Sequence, residues 1–357
     1  MKIFIRADSS SRIGGGHIMR CLTLAERLRR DGCDVTFVSR EHPGNVLSAV
    51  EGRGFRLLRL PCPADDGIGD NSGARHEGWL GVGWSTDAEE TIGALEADGR
   101  ADWVVVDHYS LDWRWESEVR PCAGHMMVID DLADRRHDCD LLLDQNLYDC
   151  PGTKYDSLVP AGCVKLIGPR YALMRDEFVK ARRRITRPGR EARRILVSFG
   201  GTDLTGETIK CIEAIRMLGR PGLTVDVVTG LCQADNMAEL MLKADIAIGA
   251  AGTTTWERCC LGLPSIVVAV AADQAESAKA LGERNIIVNL GWHEDVTPEK
   301  VRAAVAWLLS DPRKRMELAE CGIKTVDGSG ADRVALVMQY KRNAVGAVSA
   351  RTPMRIC

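Results

Sequence analysis

The sequence lacks an excess of charge of either sign. Its 47 lysines and arginines stand against 50 aspartates and glutamates, a formal net charge of -3. A protein whose main partner is nucleic acid carries a basic footprint, so that class is not expected. It also lacks an apolar run of membrane-spanning length. The longest, LPSIVVAVAA at 263–272, fits a buried strand, and no membrane insertion is expected. The opening residues, MKIFIRADSS, lack a signal-peptide pattern and read as a first strand. No C-x-x-C pair occurs among the thirteen cysteines, and Cys259 and Cys260 are adjacent. That pattern predicts reduced thiols in a cytoplasmic protein, most of them small core residues, and argues against zinc. Nothing in the sequence calls for an obligate protein partner.

What is there alternates between strand and helix. At 357 residues with 45% hydrophobic content, two domains are expected. KIFIRA (2–7) reads as a strand, 17–30 has helical apolar spacing, and 35–39 reads as the next strand. Further strands are expected at 54–61, 102–109, 125–132 and 139–146, with a long loop over 62–86 and a helix over 87–97. The pattern predicts a parallel sheet with helices on both faces. A charged stretch, VKARRRITRPGREARR (179–194), interrupts it and reads as a solvated connection. The second half restarts with RILVSFGGTD, LTVDVVTG and DIAIGAAGTTTWERCCLGLPSIVVAV. The expected division is an N-terminal domain over 1–168, a connection over 169–193, a C-terminal nucleotide-binding domain over 194–342 and a tail over 343–357. The fold class expected is α/β, two Rossmann-like domains whose parallel sheets face a shared cleft. Ligands bind such sheets outside the carboxyl ends of the strands.

Candidate site residues follow from those ends. Gly14, Gly15 and Gly16 enter a helix, where backbone N–H groups approach an anion. A nicotinamide dinucleotide fingerprint with Glu41 as ribose partner is one reading, although Met19 stands where its third glycine belongs. His17, in the first helical turn, is held neutral by the positive helix end and suits a general base. Arg20 follows one turn on. Asp107, His108 and Tyr109 end a strand: Asp107 is placed to orient an imidazole or bind sugar hydroxyls, Tyr109 to bind a sugar. Asp130, Asp131, Asp138 and Asp140 raise the question of a divalent metal, but the D-x-D pair precedes its strand and no metal is expected. Gly252, Thr253, Thr254 and Thr255 offer hydroxyls and N–H groups to a diphosphate. Glu257 is placed either to accept ribose hydroxyls or to close a capping box with Thr254.

Taken together, RADSSSRIGGGHIMRCLTLAERL, VVVDHYSLD, IDDLADRRHDCDLLLDQN, YALMRDEF, ILVSFGGTD and ADIAIGAAGTTTWERCCLGLP resemble the UDP-sugar hydrolases of pseudaminic acid biosynthesis, linked to flagellin glycosylation. The resemblance runs from residue 1 to about 340. It implies the GT-B architecture, as in the lipid II glycosyltransferase. It also implies His17 as catalytic base, Tyr109 near the sugar and Glu257 on the ribose. Where that family reads DNQ, this chain has Asp273 and Gln274 near the pyrophosphate. The stretch after Gly230 is shorter than the pattern expects, by about one helix and strand.

The expected activity is hydrolysis of a UDP-sugar by water at the anomeric carbon, with inversion and without cofactor. UDP leaves without protonation, so one base suffices where glycosidases pair two carboxylates. No cationic clamp is evident near either glycine turn. A GT-B glycosyltransferase and a non-catalytic sugar-nucleotide-binding protein are the alternatives.

Overall fold

A computed structural model describes residues 1–62, 76–186, 191–200, 203, 205–229 and 236–349. The chain divides into two units. The first contains residues 1–144, 152–167 and those from 331 onward. Its strands are β1 (Lys2–Ala7), β2 (Asp34–Arg40), β3 (Arg56–Leu60), β4 (Ala101–Asp107), β5 (Ala123–Ile129), β6 (Leu141–Asp144) and β7 (Val164–Ile167). They form a seven-stranded sheet in the order β3-β2-β1-β4-β5-β6-β7, with every neighbouring pair parallel. Parallel neighbours require crossovers, and helices covering both faces make the strands almost wholly apolar. Ile3, Phe4 and Ile5 are fully buried, each worth about 1.5–3 kcal/mol of transfer free energy.

The second unit contains 145–151 and 168–330. Its strands are β8 (Arg194–Ser198), β9 (Thr224–Val228), β10 (Ile246–Ala250), β11 (Ser265–Ala269) and β12 (Val288–Trp292), in the parallel order β12-β11-β10-β8-β9. Five strands are seen among the described residues. The stretch expected to be shortened, 230–235, lies outside them.

Two stretches differ from the sequence reading. The described part of 169–193 is grouped with the second unit and carries the helix Asp176–Arg182. Phe178 and Ala181 sit in that unit's core with Trp256 and Met241. Arg182, read as solvated, donates to the carbonyls of Cys260 at 2.6 Å and of Ile323 and Val326 at 3.0 Å. Its charge satisfies carbonyls at helix ends, which a count of charges along the chain does not reveal. The helix Gly330–Ser349 runs past the expected boundary at 342, and its residues from Ala331 group with the first unit. Arg27 pairs there with Asp332, and Gln339 Nε2 donates to Asp31 at 2.7 Å. Residues 350–357 lie outside the described set. Among the described residues no helix is long and apolar enough to cross a membrane.

Candidate active site

In the first unit the strand order turns between β1 and β4, and Ala7 lies in register with Asp107 at their carboxyl ends. A ligand site belongs at such a turn. Gly14 adopts φ +77°, where a side chain would be strained, and bridges back to Ser10. The helix Gly16–Arg30 then starts, with His17 in its first turn.

His17 Nδ1 lies 2.6 Å from Asp107 Oδ1. Arg20, one turn later, donates to the same carboxylate from Nε at 2.6 Å and from Nη2 at 2.5 Å. Arg20 Nη2 also lies 3.3 Å from His17 Nδ1. A carboxylate only accepts, so this contact is a hydrogen bond in the tautomer that carries its proton on Nδ1. In that tautomer Nε2 is an acceptor, and it has no partner among the described residues. Burial pushes Asp107 up, but Arg20 and then His17 outweigh it and hold the carboxyl well below its ordinary value. Arg20 spans a second carboxylate, Asp131, at 3.5 Å. Asp131 accepts the Tyr109 hydroxyl at 2.5 Å, and the Tyr109 ring meets His17 edge-on with centroids 4.8 Å apart.

Sequence reasoning missed two neighbours of this group. Trp79 lies 5.8 Å from Tyr109 in a stacked arrangement, and His76 lies 4.4 Å from Trp79. Both come from the stretch read as a long loop, where no periodicity marks a residue as inward. It also missed the buried charges beneath. Arg6, at the end of β1, donates from Nη2 to Asp8 at 2.9 Å and to Asp87 at 2.7 Å. Arg40, at the end of β2, reaches Asp87 at 2.7 Å, and Trp115 Nε1 donates to it at 2.9 Å. Such a network of buried, paired charges fixes the strand ends in one arrangement. His108 belongs to it. Its Nδ1 accepts from the Ser110 N–H at 3.1 Å, Nε2 lies 3.4 Å from Asp8, and burial pushes its pKa down to about 3.

Other sequence candidates are placed away from this group. Glu41 is surface-exposed and paired with Arg59. Asp138 and Asp140 are both held by Arg120, at 2.8 and 3.2 Å. Asp130 is buried, forms an ion pair with Arg135 at 2.8 Å and accepts the Tyr155 hydroxyl at 3.0 Å. Among the described residues no cluster of His, Cys, Asp or Glu is placed to hold a metal ion.

In the second unit the order turns between β8 and β10. Part of the glycine turn after β8, Gly201 and Thr202, lies outside the described residues. After β10, Gly252 is half-buried, Thr253 exposed and Thr254 half-buried. Thr255 is fully buried, and its hydroxyl is held by Ala250 O at 3.3 Å and Arg258 Nη2 at 2.8 Å. It serves the loop's own structure, which corrects its expected role as a phosphate hydroxyl. The capping box is absent as well. Thr253 is the cap residue without a side-chain bond, and Glu257 turns to Arg175, whose Nε and Nη2 donate to Oε1 at 3.0 and 2.9 Å. Glu257 Oε2 is buried with no hydrogen-bond partner among the described residues. Gln274 Oε1 accepts from the Val270 N–H at 3.2 Å. Its amide nitrogen lies 3.8 Å from where a side chain on Gly252 would start. Asp273 stands in the first turn of the helix Ala272–Glu283.

A cation does stand behind this loop, contrary to the expectation of none. Arg258 is 2% exposed and also donates to Ala250 O at 2.6 Å. No carboxylate lies within ion-pair distance of it among the described residues. Burial lowers its pKa to about 10, which leaves it charged at neutral pH.

With this geometry in hand, the comparisons are specific. Residues 197–334 match the glycosyltransferase family 28 C-terminal domain. The chain is 27% identical over 205 residues to the UDP-2,4-diacetamido-2,4,6-trideoxy-beta-L-altropyranose hydrolase of Campylobacter jejuni, covering 57% of this chain and 62% of that protein. It is 27% identical over 194 residues to the spore coat polysaccharide biosynthesis protein SpsG of Bacillus subtilis, covering 48% and 57%. An uncharacterized protein of Methanocaldococcus jannaschii matches at 23% over 296 residues, covering 75% and 55%. The matches thus span just over half the length of these curated relatives. Among solved structures, Acinetobacter baumannii MurG superposes with TM-score 0.64 at 14% identity, covering 95% of this chain and 99% of that one. Arabidopsis thaliana UGT89C1 complexed with UDP superposes with TM-score 0.65 at 13% identity, covering 94% and 99%. The fold is GT-B, and the first motif-level resemblance is matched by a relative of the same description.

Proposed function

We propose that this protein is a sugar-nucleotide-processing enzyme that hydrolyses a UDP-linked sugar at the anomeric carbon. The substrate class is the one named for the Campylobacter relative, a UDP-2,4-diacetamido-2,4,6-trideoxy sugar, a step of nonulosonic acid biosynthesis. The observation that carries the reading is the His17–Asp107–Arg20 group. Asp107 commits Nδ1 and leaves Nε2 to take a proton from water. Arg20 is neutralised by two carboxylates, so it steadies the base and offers little charge to a phosphate.

In this reading His17 Nε2 accepts the proton of a water as that water's oxygen bonds to the anomeric carbon. The C–O bond to UDP breaks on the opposite face, giving inversion. Backbone N–H groups at Gly252, Thr253 and Thr254 hold the departing diphosphate, with Gln274 nearby and Arg258 adding positive potential from behind. Tyr109 lies against the sugar and Glu257 accepts from the ribose.

The match of residues 197–334 to a glycosyltransferase domain favours a second reading, sugar transfer to an acceptor. Incubation with UDP-diacetamido-trideoxy sugars and no acceptor, followed by mass spectrometry, separates them. Free UDP together with free sugar supports hydrolysis. Turnover only after an acceptor is added overturns it, and binding without turnover under either condition leaves a non-catalytic protein.

A further inference from the structure

The arginine that faces Glu257 comes from a different part of the chain, 82 residues away. Arg175 precedes the helix Asp176–Arg182, and every nitrogen of its guanidinium is engaged. Nε and Nη2 share one oxygen of Glu257, Nη1 reaches Glu177 Oε1 at 2.6 Å, and the cation lies 4.7 Å over the Phe178 ring. Held in three directions, the guanidinium has one orientation. It fills Glu257 Oε1 twice and leaves Oε2, the buried acceptor without a partner. A buried carboxylate oxygen without a donor is left desolvated and uncompensated, so the arrangement asks for a donor from outside the protein.

We propose that Arg175 is the positioning residue of the nucleotide site, holding Glu257 so that one oxygen is filled by the guanidinium and the other is reserved for a ribose hydroxyl. This rests on the ribose reading of Glu257 given above. Arg175 itself touches no substrate; it acts through Glu257.

The charges around Glu257 decide what Arg175 is needed for. Burial pushes the carboxyl up, Arg175 pulls it down, Glu177 pushes it up and Arg258 pulls it down. Glu177 comes from the neighbouring helix and Arg258 from the helix of Glu257 itself. Removing Arg175 deletes the larger of the two opposing cationic influences. The neutral acid then persists to higher pH, and a neutral acid loses part of its capacity to accept from a hydroxyl.

The test uses UDP-N-acetylglucosamine and its 2′-deoxyuridine counterpart as probes, because neither diphosphate titrates between about pH 5.5 and about pH 8.5, so any titration seen belongs to the protein. Wild type should prefer the ribose probe about tenfold, with a single pH midpoint. Arg175→Gln should move that midpoint to higher pH, losing the preference at the acid end and regaining it at the alkaline end. Arg175→Lys should return the midpoint most of the way, and Arg175→Met, which also removes the charge, carries the test if the glutamine variant does not fold. An Arg175 variant that weakens both probes equally at every pH has a structural role only and overturns the inference. So does an unchanged midpoint in a variant without the charge. Glu257→Ala tells the two ideas apart: if it leaves the ribose preference intact, the ribose reading itself fails.

Discussion

Replacing Asp107 with asparagine tests the base and its setting together. The side chain keeps its shape and loses its charge. Two consequences follow from the distances. Arg20 loses the carboxylate at 2.5 and 2.6 Å and keeps only Asp131 at 3.5 Å. Removing one partner of a buried pair costs about 3–5 kcal/mol, and the surviving carboxylate puts the expected loss near the lower figure. The second consequence is chemical. An amide N–H facing Nδ1 makes that nitrogen the acceptor and puts the ring proton on Nε2, where it cannot take a proton from water. In catalytic triads the same exchange costs roughly 10⁴ in kcat, and about 10³–10⁴ is expected here. The assay is UDP release under saturating UDP-diacetamido-trideoxy sugar, with circular dichroism confirming the folded state. Asp107→Asn with kcat within threefold of wild type, in folded protein, would refute the reasoning.

Three further outcomes follow. His108 is neutral in the folded state down to about pH 3 but takes up a proton near 6.5 when unfolded, so stability is present above pH 6.5 and lost below it at about 1.4 kcal/mol per pH unit; His108→Gln should flatten the fall in melting temperature between pH 6.5 and 5, and an unchanged slope counts against a buried neutral ring. A side chain on Gly249 would collide with the Ser198 carbonyl of the adjacent strand and with Arg258 Nη1; Gly249→Ala should cost about 3 kcal/mol or more, and a melting temperature within a degree of wild type contradicts that packing. Chelation should leave turnover unchanged, whereas loss in EDTA restored by Mg²⁺ or Mn²⁺ would put a metal on the diphosphate.

The parts of this molecule that repeat were legible in the sequence. Apolar strands followed by amphipathic helices announce parallel sheets, and glycines before His17 announce a turn at a strand's carboxyl end. Asp107 was legible as a strand-end acid able to orient an imidazole, and the structure sets it against His17. What was not legible is what depends on residues distant in sequence. Arg6 and Arg40 lie within strand segments and give no sign that they meet Asp87 from a helix. Trp79 and His76 sit in aperiodic chain. Arg175 looks like one more basic residue near a charged stretch until Glu257 is found beside it. Arg258 lies inside a short helix, where a charge ordinarily faces water, yet its guanidinium is buried behind the loop that follows β10. Thr255 reads as a ligand-binding hydroxyl only while Arg258 is unseen.

The central claim is that water attacks carbon. Attack at phosphorus drives an anionic centre through a more charged arrangement, and enzymes that do so supply metals or cationic clamps in contact with it. Arg20 is spent on two carboxylates, and Arg258 is buried and bonded to the loop itself. Attack at carbon needs a base with a free lone pair, and His17 Nε2 has one. Turnover of the UDP-sugar in ¹⁸O-water, with both products weighed, distinguishes the two. The account predicts one labelled oxygen in the released sugar and none in UDP. Label in UDP with an unlabelled sugar contradicts it.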